Sequence, residues 1–311
     1  MPHRTTTLKR VISGVCLWSL LATLGLLYGN LALAADAQHV SPNAKTQKIL
    51  WKVQSPQNTI YLVGSIHVLQ KHHYPLDDVF DDAFNESSRV IFEVDLDELA
   101  SPLAQMNMVK KGLYLNGETL ISVLSPERYA LAKENLTALG LNIEKFHRMK
   151  PWMTATAVMA LELQKLGFES AYGVDRHFFD KAQAMGKPIQ GLETVEFQLD
   201  LFAKLSSSMQ EQFLLQTLEE LKSLGTQVND MVKAWKQGNV QELERLLAGM
   251  DEYPELNQTI VINRNHDWLP HVEQALQEKE PVFIVVGALH LLGKEGLVSV
   301  LKEKGYLVEQ L

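Results

Sequence analysis

Two stretches of the sequence decide the fold: Thr59-Ile60-Tyr61-Leu62-Val63-Gly64-Ser65-Ile66-His67 and Pro281-Val282-Phe283-Ile284-Val285-Val286-Gly287-Ala288-Leu289-His290. Each begins with a short apolar run that is typical of a buried β-strand, and each ends in Gly-x-x-His. The two copies lie near opposite ends of the chain, which is too far apart for a tandem repeat. We therefore expect two strands of one sheet, with the intervening residues inserted between them.

Four shorter segments are predicted to complete the sheet. Residues 49–53 should pair with the first stretch across Ser55-Pro56-Gln57-Asn58, which has favourable turn residues. Residues 89–95 form an apolar strand that ends in acidic residues, residues 188–193 form a short strand, and residues 306–309 form an edge strand. Each of these runs is short enough to be a strand rather than a buried helix.

Most of the remaining chain is predicted to be helical, including nearly all of the stretch from 98 to 187. Proline suits the first turn of a helix and glycine suits its end, and these signals place helices over residues 75–88, 125–140, 151–166, 172–186, 194–225, 227–237, 239–248, 257–276 with a bend at Pro270, and 295–304. The fold class is therefore α/β: a central mixed sheet flanked by helices, with a mostly helical insertion between the two Gly-x-x-His halves.

The N-terminus resembles a targeting segment. Three basic residues among the first ten precede an apolar run over residues 11–27, and Leu31-Ala32-Leu33-Ala34 supplies an Ala-x-Ala-like cleavage site. We predict a signal peptide over residues 1–34, with an uncleaved anchor helix as the alternative, and one α/β domain over residues 35–311. The protein is then periplasmic or otherwise exported, and membrane association is expected only through this N-terminal segment.

Composition narrows the chemistry. The 311-residue chain is 46% hydrophobic, enough to bury a substantial core, and its mean hydropathy of −0.07 excludes a polytopic membrane protein. Its net charge is −8, and it falls to −11 without the leader, which argues against nucleic-acid binding. Cys16, in the leader, is the one cysteine. A mature chain would therefore have no thiol, so any metal must be bound by imidazole and carboxylate groups.

Four ionisable residues share one kind of position, at or just beyond the C-terminal end of a predicted strand: His67, Glu93, Glu193 and His290. Parallel strands bring such ends to one edge of a sheet, where ligand sites form. Two imidazoles with one or two carboxylates suit a divalent metal such as Zn²⁺, Mn²⁺ or Co²⁺, and a second carboxylate can take a proton from water. Purely structural interpretations stay open, because histidines after strands often only form hydrogen bonds and strand-end glutamates also cap helices.

Other motifs are less informative. His72 and His73 lie in a polar loop and are predicted to be solvated. His266 and His271 superficially resemble a zinc-protease helix, but they are spaced i, i+5 and Pro270 should interrupt the helix, so we reject that site. The sequence contains no G-x-S-x-G elbow, no P-loop and no G-x-G-x-x-G fingerprint.

Taken in order, the motifs resemble those of the TraB/GumN family, relatives of the Tiki metalloproteases. The resemblance covers nearly all of the mature chain. The matching segments are Tyr61-Leu62-Val63-Gly64-Ser65-Ile66-His67, Phe92-Glu93-Val94-Asp95, Lys150-Pro151-Trp152, Gly173-Val174-Asp175, Gly186-Lys187-Pro188, Gly191-Leu192-Glu193-Thr194, Asn263-Arg264-Asn265 and Val285-Val286-Gly287-Ala288-Leu289-His290.

The resemblance implies a divalent-metal-dependent peptidase that favours Mn²⁺ or Co²⁺ and acts on a peptide or protein substrate. By motif, His67 and His290 would be metal ligands or immediate neighbours of the metal, and Glu93 would be the catalytic carboxylate, as ligand or general base. Glu193 and Arg264 would complete the catalytic polar groups, with Arg264 available to stabilise an oxyanion. Asp175, in Gly173-Val174-Asp175, would support them.

Two alternatives remain at this point. One is a non-catalytic haem- or metal-binding protein of the periplasm, and the other is an ester hydrolase in which a histidine–glutamate pair activates water without a metal. Similar folds serve both purposes, and a shared fold does not give a shared substrate. The sequence leaves open the substrate, the identity and number of metals, the oligomeric state, and whether residues 98–187 form a lid or a wall of the cleft.

Overall fold

The computed structural model describes residues 47–248 and 253–311. The predicted leader over residues 1–34 and its Cys16 therefore lie outside the described residues. Among the helices that are described, none is both long and apolar enough to cross a lipid bilayer.

One six-stranded mixed sheet forms the centre of the molecule, with the strand order β4-β3-β5-β2-β1-β6. Strands β4, β3, β5 and β2 run parallel to one another, whereas β1 runs antiparallel to both of its neighbours, β2 and β6. The strands are β1 (Leu50–Gln54), β2 (Thr59–Ser65), β3 (Arg89–Phe92), β4 (Ile189–Gly191), β5 (Val282–Gly287) and β6 (Leu307–Gln310). The predicted α/β class with a mixed sheet is confirmed.

The two Gly-x-x-His strands, β2 and β5, are neighbours at the centre of the sheet. Every residue of β5 is buried, and so is all of β2 after Thr59, as expected for parallel strands that are covered on both faces. Their parallel register pairs Gly64 with Val286 and Ser65 with Gly287. The two motifs therefore leave the sheet at the same edge and within one residue of the same level.

Helices make up most of the described chain outside the sheet. They are α1 (Asp78–Glu86), α2 (Leu96–Leu99), α3 (Pro102–Gly112), α4 (Leu120–Val123), α5 (Pro126–Ala138), α6 (Pro151–Lys165), α7 (Val174–Ala184), α8 (Val195–Ala203), α9 (Ser207–Glu220), α10 (Leu224–Lys236), α11 (Val240–Leu247), α12 (Pro254–Asn257), α13 (Asn263–Ala275) and α14 (Leu297–Glu303). The insertion between the two motifs is mostly helical, as predicted, and it also contributes strands β3 and β4 to the sheet.

Two helix predictions differ from the structure in their boundaries. Helix α1 begins at Asp78 with Asp77 as its cap, so Pro75 lies before the helix and not in its first turn. The helix predicted over residues 194–225 is divided at Lys204–Ser206, because the Ser206 side chain accepts a hydrogen bond from the Met209 amide and starts a new helix.

The segment around Pro270 is also more regular than expected. Helix α13 continues through Pro270, because a proline removes one backbone hydrogen bond and here the affected carbonyl belongs to the exposed His266. The irregularity lies earlier instead, in a π-helical turn over Gln258–Ile262. Such turns are frequent at functional sites, and this one directly precedes the segment Asn263-Arg264-Asn265.

We predict that Gly64→Ala destabilises the fold. An added Cβ would overlap Ile49 Cγ2 and lie 3.1 Å from Ala288 Cα, so it would separate β2 from its surroundings at the start of the first motif. The free energy of unfolding, measured by urea denaturation, should fall by about 1–3 kcal/mol. The control is Gly225→Ala, whose Cβ would make only ordinary contacts, 3.7 Å or more from Leu166; an equal loss in both variants would contradict the prediction.

Candidate active site

Four parallel strands deliver four ionisable side chains to one edge of the sheet. Glu93 follows β3 directly, Glu193 follows β4 by two residues, and His67 and His290 each lie two or three residues beyond β2 and β5. All four side chains are at least nine-tenths buried. The structure therefore brings together the residues that the sequence placed at strand ends.

Glu93 lies at the centre of this cluster. Its Oε1 accepts a hydrogen bond from the Gly287 amide at 2.7 Å and lies 3.9 Å from His67 Nε2 and 4.0 Å from His290 Nε2. Its Oε2 accepts from Arg264 Nη2 at 2.5 Å. Burial alone would raise the pKa of Glu93, but the charges of Arg264 and the two histidines and the Gly287 N–H outweigh it and lower the pKa to about 2. Glu93 is thus a carboxylate at neutral pH.

The orientation of the His67 imidazole is set by Asp175 and Ser65, on the side of the ring that bears Nδ1. Its Nδ1 lies 3.1 Å from Asp175 Oδ2, and Asp175 is itself held by the Ser65 hydroxyl, which donates to Oδ1 at 2.9 Å and accepts from the Asp175 amide at 3.2 Å. In the neutral form of His67 the proton is on Nδ1, toward this carboxylate, and Nε2 then presents a lone pair to the cluster. That buried Nε2 has no hydrogen-bond partner. Burial lowers the pKa of His67, but Asp175 and then Glu93 reverse the effect, so the pKa is raised.

His290 has the same tautomer, set by a different partner. Asn265 donates from Nδ2 to the carbonyls of His290 and Glu295 at 3.1 and 2.9 Å, which turns its Oδ1 toward His290 Nδ1 at 2.8 Å. The proton is therefore on Nδ1, and Nε2 accepts from Arg264 Nη1 at 2.9 Å. Burial and the adjacent guanidinium lower the pKa of His290 to about 3, so its ring is neutral at physiological pH.

Arg264 is a fully buried guanidinium that joins the other groups. It donates from Nε to both oxygens of Glu193 at 3.1 Å, and from Nη2 to Glu193 Oε1 at 2.5 Å and to Glu93. Its Nη1 donates to the Ile260 carbonyl at 3.0 Å and to His290. Every N–H of the guanidinium is therefore in use. The expected oxyanion role of Arg264 requires one of these bonds to be released.

Both carboxylate oxygens of Glu193 accept hydrogen bonds from several donors. Besides Arg264, it accepts from Trp268 Nε1 at 3.0 Å and from Gln198 Nε2 at 2.8 Å. Burial raises the pKa of Glu193 and Glu93 adds to this effect, while Arg264 opposes both. With its oxygens engaged, Glu193 anchors the guanidinium and has little capacity to act on a substrate.

Comparison with known proteins identifies the family of this chain. The profile of the TraB/PrgY/gumN family matches residues 49–310, which is most of the chain and includes every residue of the cluster. The chain belongs to the TraB/PrgY/gumN family. No solved structure gave a significant match to this family member.

Several curated proteins are distant relatives. Metalloprotease TIKI2 of Danio rerio is 25% identical over 328 residues, covering 84% of this chain and 60% of that protein. The metalloprotease TIKI homolog of Amphimedon queenslandica is 24% identical and covers 94% of this chain and 67% of that protein. An uncharacterized protein of Treponema pallidum (strain Nichols) is 20% identical, covering 84% of this chain and 82% of that protein. This family member therefore spans only 60–67% of the length of these two TIKI proteins.

Metal binding by the cluster depends on which donor atoms are left open. In the described ranges, no group of three or more His, Cys, Asp or Glu side chains is already arranged around a common metal position. Nevertheless, the unpartnered Nε2 of His67 and Oε1 of Glu93 both face the Cα of Gly287, where an added Cβ would lie 3.1 and 3.2 Å from them. Any larger residue at Gly287 would fill this space. The donor set fits a cation, provided that Arg264 leaves the lone pair of His290.

All six residues expected from the sequence meet in this cluster: His67, Glu93, Asp175, Glu193, Arg264 and His290. Their catalytic and metal-binding roles stay predictions. Four more members carried no assignment: Ser65, Gln198, Asn265 and Trp268. Trp268 follows Arg264 by four residues, which places both on one helix face, and its ring lies 4.5 Å from the guanidinium carbon. This spacing of four residues could have identified Trp268 from the sequence as a neighbour of Arg264.

The remaining histidines lie elsewhere. His72 is exposed as predicted, but the prediction is wrong for His73, which is 8% exposed. Its Nδ1 accepts from the Gln70 amide at 3.1 Å, and burial lowers its pKa to about 4. His266 and His271 are both exposed. Their exclusion as a metal site stays a prediction, whereas the expected interruption of the helix at Pro270 is wrong, because α13 continues through this residue.

The pKa of His290 predicts how stability depends on pH. Its folded pKa of about 3 lies below the ordinary value of 6.5, so between these pH values the unfolded state binds more protons and stability falls with acidification. From pH 7 to pH 5 this group should cost about 2 kcal/mol of unfolding free energy. His67 acts in the opposite sense, because its raised pKa favours folding at low pH.

The measurement is urea denaturation at pH 7 and pH 5 of wild type and His290→Gln. The variant should lose less stability on acidification than wild type, by about 2 kcal/mol. The exposed His266→Gln is the matched control and should behave as wild type. If wild type and His290→Gln show the same dependence on pH, the neutral buried state assigned to His290 is wrong.

Proposed function

We propose that the protein is a divalent-metal-dependent hydrolase that cleaves peptide bonds. One observation carries the proposal: the buried Nε2 of His67 has no hydrogen-bond partner and lies 3.9 Å from Oε1 of Glu93. Groups of this kind are ready to coordinate a cation. Two of the distant relatives bear the name metalloprotease, which supports hydrolysis of a peptide rather than simple metal storage.

The residues that would hold the cation are His67 and His290, each through Nε2, with the carboxylate of Glu93 next to both rings. None of these residues is a thiol, and imidazole with carboxylate suits Mn²⁺, Co²⁺ or Zn²⁺. Once bound, the cation would polarise a substrate carbonyl and lower the pKa of a water molecule. Asp175 and Asn265 already fix both rings in the tautomer with Nε2 free of a proton, which is the usual support for ligating histidines.

Glu93 would accept the proton of the attacking water. Its pKa of about 2 keeps it ionised, and the Gly287 amide holds Oε1 in place. Gln198 Nε2 lies 3.3 Å from Oε2. Together with Arg264, these donors prevent rotation of the carboxylate, so proton transfer occurs at Oε1.

Arg264 would change partners during the reaction. When His290 Nε2 is engaged elsewhere, the Nη1 proton now donated to it becomes free. The other N–H groups still bind the Ile260 carbonyl and Glu193, so the guanidinium keeps its position. The free N–H can then donate to the oxyanion that forms at the attacked carbonyl. In this way Glu193 acts on the reaction through Arg264, as a positioning residue.

The setting of this activity is also a proposal. The basic and apolar leader with its Ala-x-Ala site supports action in the periplasm or outside the cell. The net charge of −8 supports a peptide or protein substrate rather than a nucleic acid.

A second function is favoured by one specific observation. The pair of Asp175 and His67 has the arrangement of an oriented general base: Nδ1 contacts a carboxylate and Nε2 is free. The same side chains therefore support a metal-independent hydrolase, for example of esters. Haem binding, the other alternative, remains an untested prediction.

The test is cleavage of a peptide library by the purified protein supplied with Mn²⁺, Co²⁺ or Zn²⁺, read by mass spectrometry. A strong chelator should abolish cleavage. Glu93→Gln should reduce the rate by about 10²–10⁴-fold, because it removes the proton acceptor, while the urea midpoint shows that the variant is folded. The matched control is Glu295→Gln, at a partly exposed carboxylate, which should retain wild-type rates.

Two results would decide against this mechanism. Full activity in Glu93→Gln would remove the role assigned to that carboxylate. Activity that survives the chelator and is lost in His67→Gln would replace the metal-dependent mechanism by the metal-independent one.

A further inference from the structure

A groove of about 390 Å³ lies beside the cluster, between two elements that also serve the cluster. One wall is helix α8 and the start of α9, and the other is the segment that runs from α12 into the π-helical turn. Its apolar lining includes Phe197, Leu201, Leu205 and Met209, and its second wall contributes Glu255 and Thr259. None of the residues proposed to hold a cation lines this groove, so it is a separate feature.

Chain geometry places the groove next to the reacting groups. Phe197 adjoins Gln198, which donates to Glu93 and Glu193, and Leu201 lies about one helical turn, roughly 5 Å, further along α8. On the opposite wall, Thr259 adjoins Ile260, whose carbonyl accepts from Arg264. Both walls therefore continue into side-chain contacts of the cluster.

The lining of the groove has two parts. The interior is apolar, and Phe197 keeps 40% of its surface exposed although it is a large aromatic residue. The charged residue Asp200 is neutralised at the rim, because it pairs with Lys204 at 2.8 Å and with Lys111 of α3. Ser206 and Thr259 add hydroxyl groups. Apolar pockets with a few polar groups at the edge are typical of sites for small ligands and side chains.

We infer that this groove is the specificity pocket of the enzyme and binds a large apolar side chain of the peptide substrate, close to the scissile bond. The inference rests on the proposed function. The argument for the substrate as occupant is that Phe197 and Thr259, on opposite walls, are chain neighbours of Gln198 and Ile260, which contact the cluster, so a peptide whose carbonyl lies at Glu93 would have this groove within reach of a neighbouring side chain. A pocket of this size accommodates one leucine or phenylalanine side chain with its adjoining backbone.

The first experiment compares two substrates that differ at one position. The library cleaved by wild type identifies the preferred residue on each side of the scissile bond, and matched peptides then carry leucine or alanine at that position. Wild type should prefer leucine by about tenfold or more in kcat/KM. Phe197→Asp should lose most of this preference, and Phe197→Ala should lose part of it. The control is Leu115→Asp, at a leucine that is 62% exposed and outside the groove, which should keep the wild-type preference.

A second experiment does not depend on turnover. A short alanine peptide that carries one 4-benzoylphenylalanine is irradiated with the metal-free full chain, and the crosslink is mapped by mass spectrometry. We expect crosslinks within residues 197–209 or 254–259. An excess of a leucine peptide should reduce their yield, and they should disappear in Phe197→Asp.

The two experiments separate failure of the inference from failure of the proposed function. Cleavage without a preference for an apolar residue, or with a preference unchanged in Phe197→Asp, overturns the groove assignment and leaves the hydrolase intact. Absence of cleavage with any metal counts against the hydrolase. In that case the crosslinking experiment alone tests whether the groove binds an apolar side chain. Crosslinks elsewhere, or none, overturn the inference.

Discussion

The buried guanidinium of Arg264 is the interaction on which the rest of the site depends. It is 1% exposed and contacts Glu93, Glu193 and His290. A buried ion whose partner is removed costs several kcal/mol, so these groups can remain buried only together. Through them Arg264 connects the ends of β3, β4 and β5 to helix α13, and it fixes the position of the carboxylate at the centre of the cluster.

The same constraint explains both the order and the reactivity of the cluster. Around Arg264, each further group has one orientation: Asn265 sets His290, Asp175 and Ser65 set His67, and Gly287 sets Glu93. Within the cluster, the buried atom that remains without a hydrogen-bond partner is Nε2 of His67. Structural ion networks are usually satisfied throughout, and an exception beside a glycine that keeps space open is the property expected of a reactive site.

Much of this arrangement could be predicted from the sequence. Apolar strands that end in ionisable residues identified β2, β3, β4 and β5, and the parallel sheet then brought His67, Glu93, Glu193 and His290 together, since side chains that follow parallel strands share one edge. The six residues of the sequence motifs all reach the cluster. The helical insertion was also predicted, because its helices begin and end at recognisable capping residues.

The parts that were missed depend on tertiary contacts. Gln198 is one of several polar residues on α8, and no pattern distinguishes it until Glu93 and Glu193 are known to lie beside it. The division of the helix at Lys204–Ser206 has a local cause, the capping side chain of Ser206, whereas the π-helical turn before Arg264 follows from packing. The burial of His73 has the same origin. The groove beside α8 could not be predicted from the sequence, because its two walls are more than 40 residues apart along the chain.

The most direct test of the account is the metal content of the purified protein after Mn²⁺ is offered, measured by mass spectrometry and by electron paramagnetic resonance. The account predicts stoichiometric Mn²⁺ in wild type, its loss in His67→Ala, and its loss in Gly287→Ala, where an added methyl group would fill the space between His67 and Glu93. Wild-type protein that takes up no Mn²⁺, Co²⁺ or Zn²⁺, or that binds metal equally well in both variants, would contradict it.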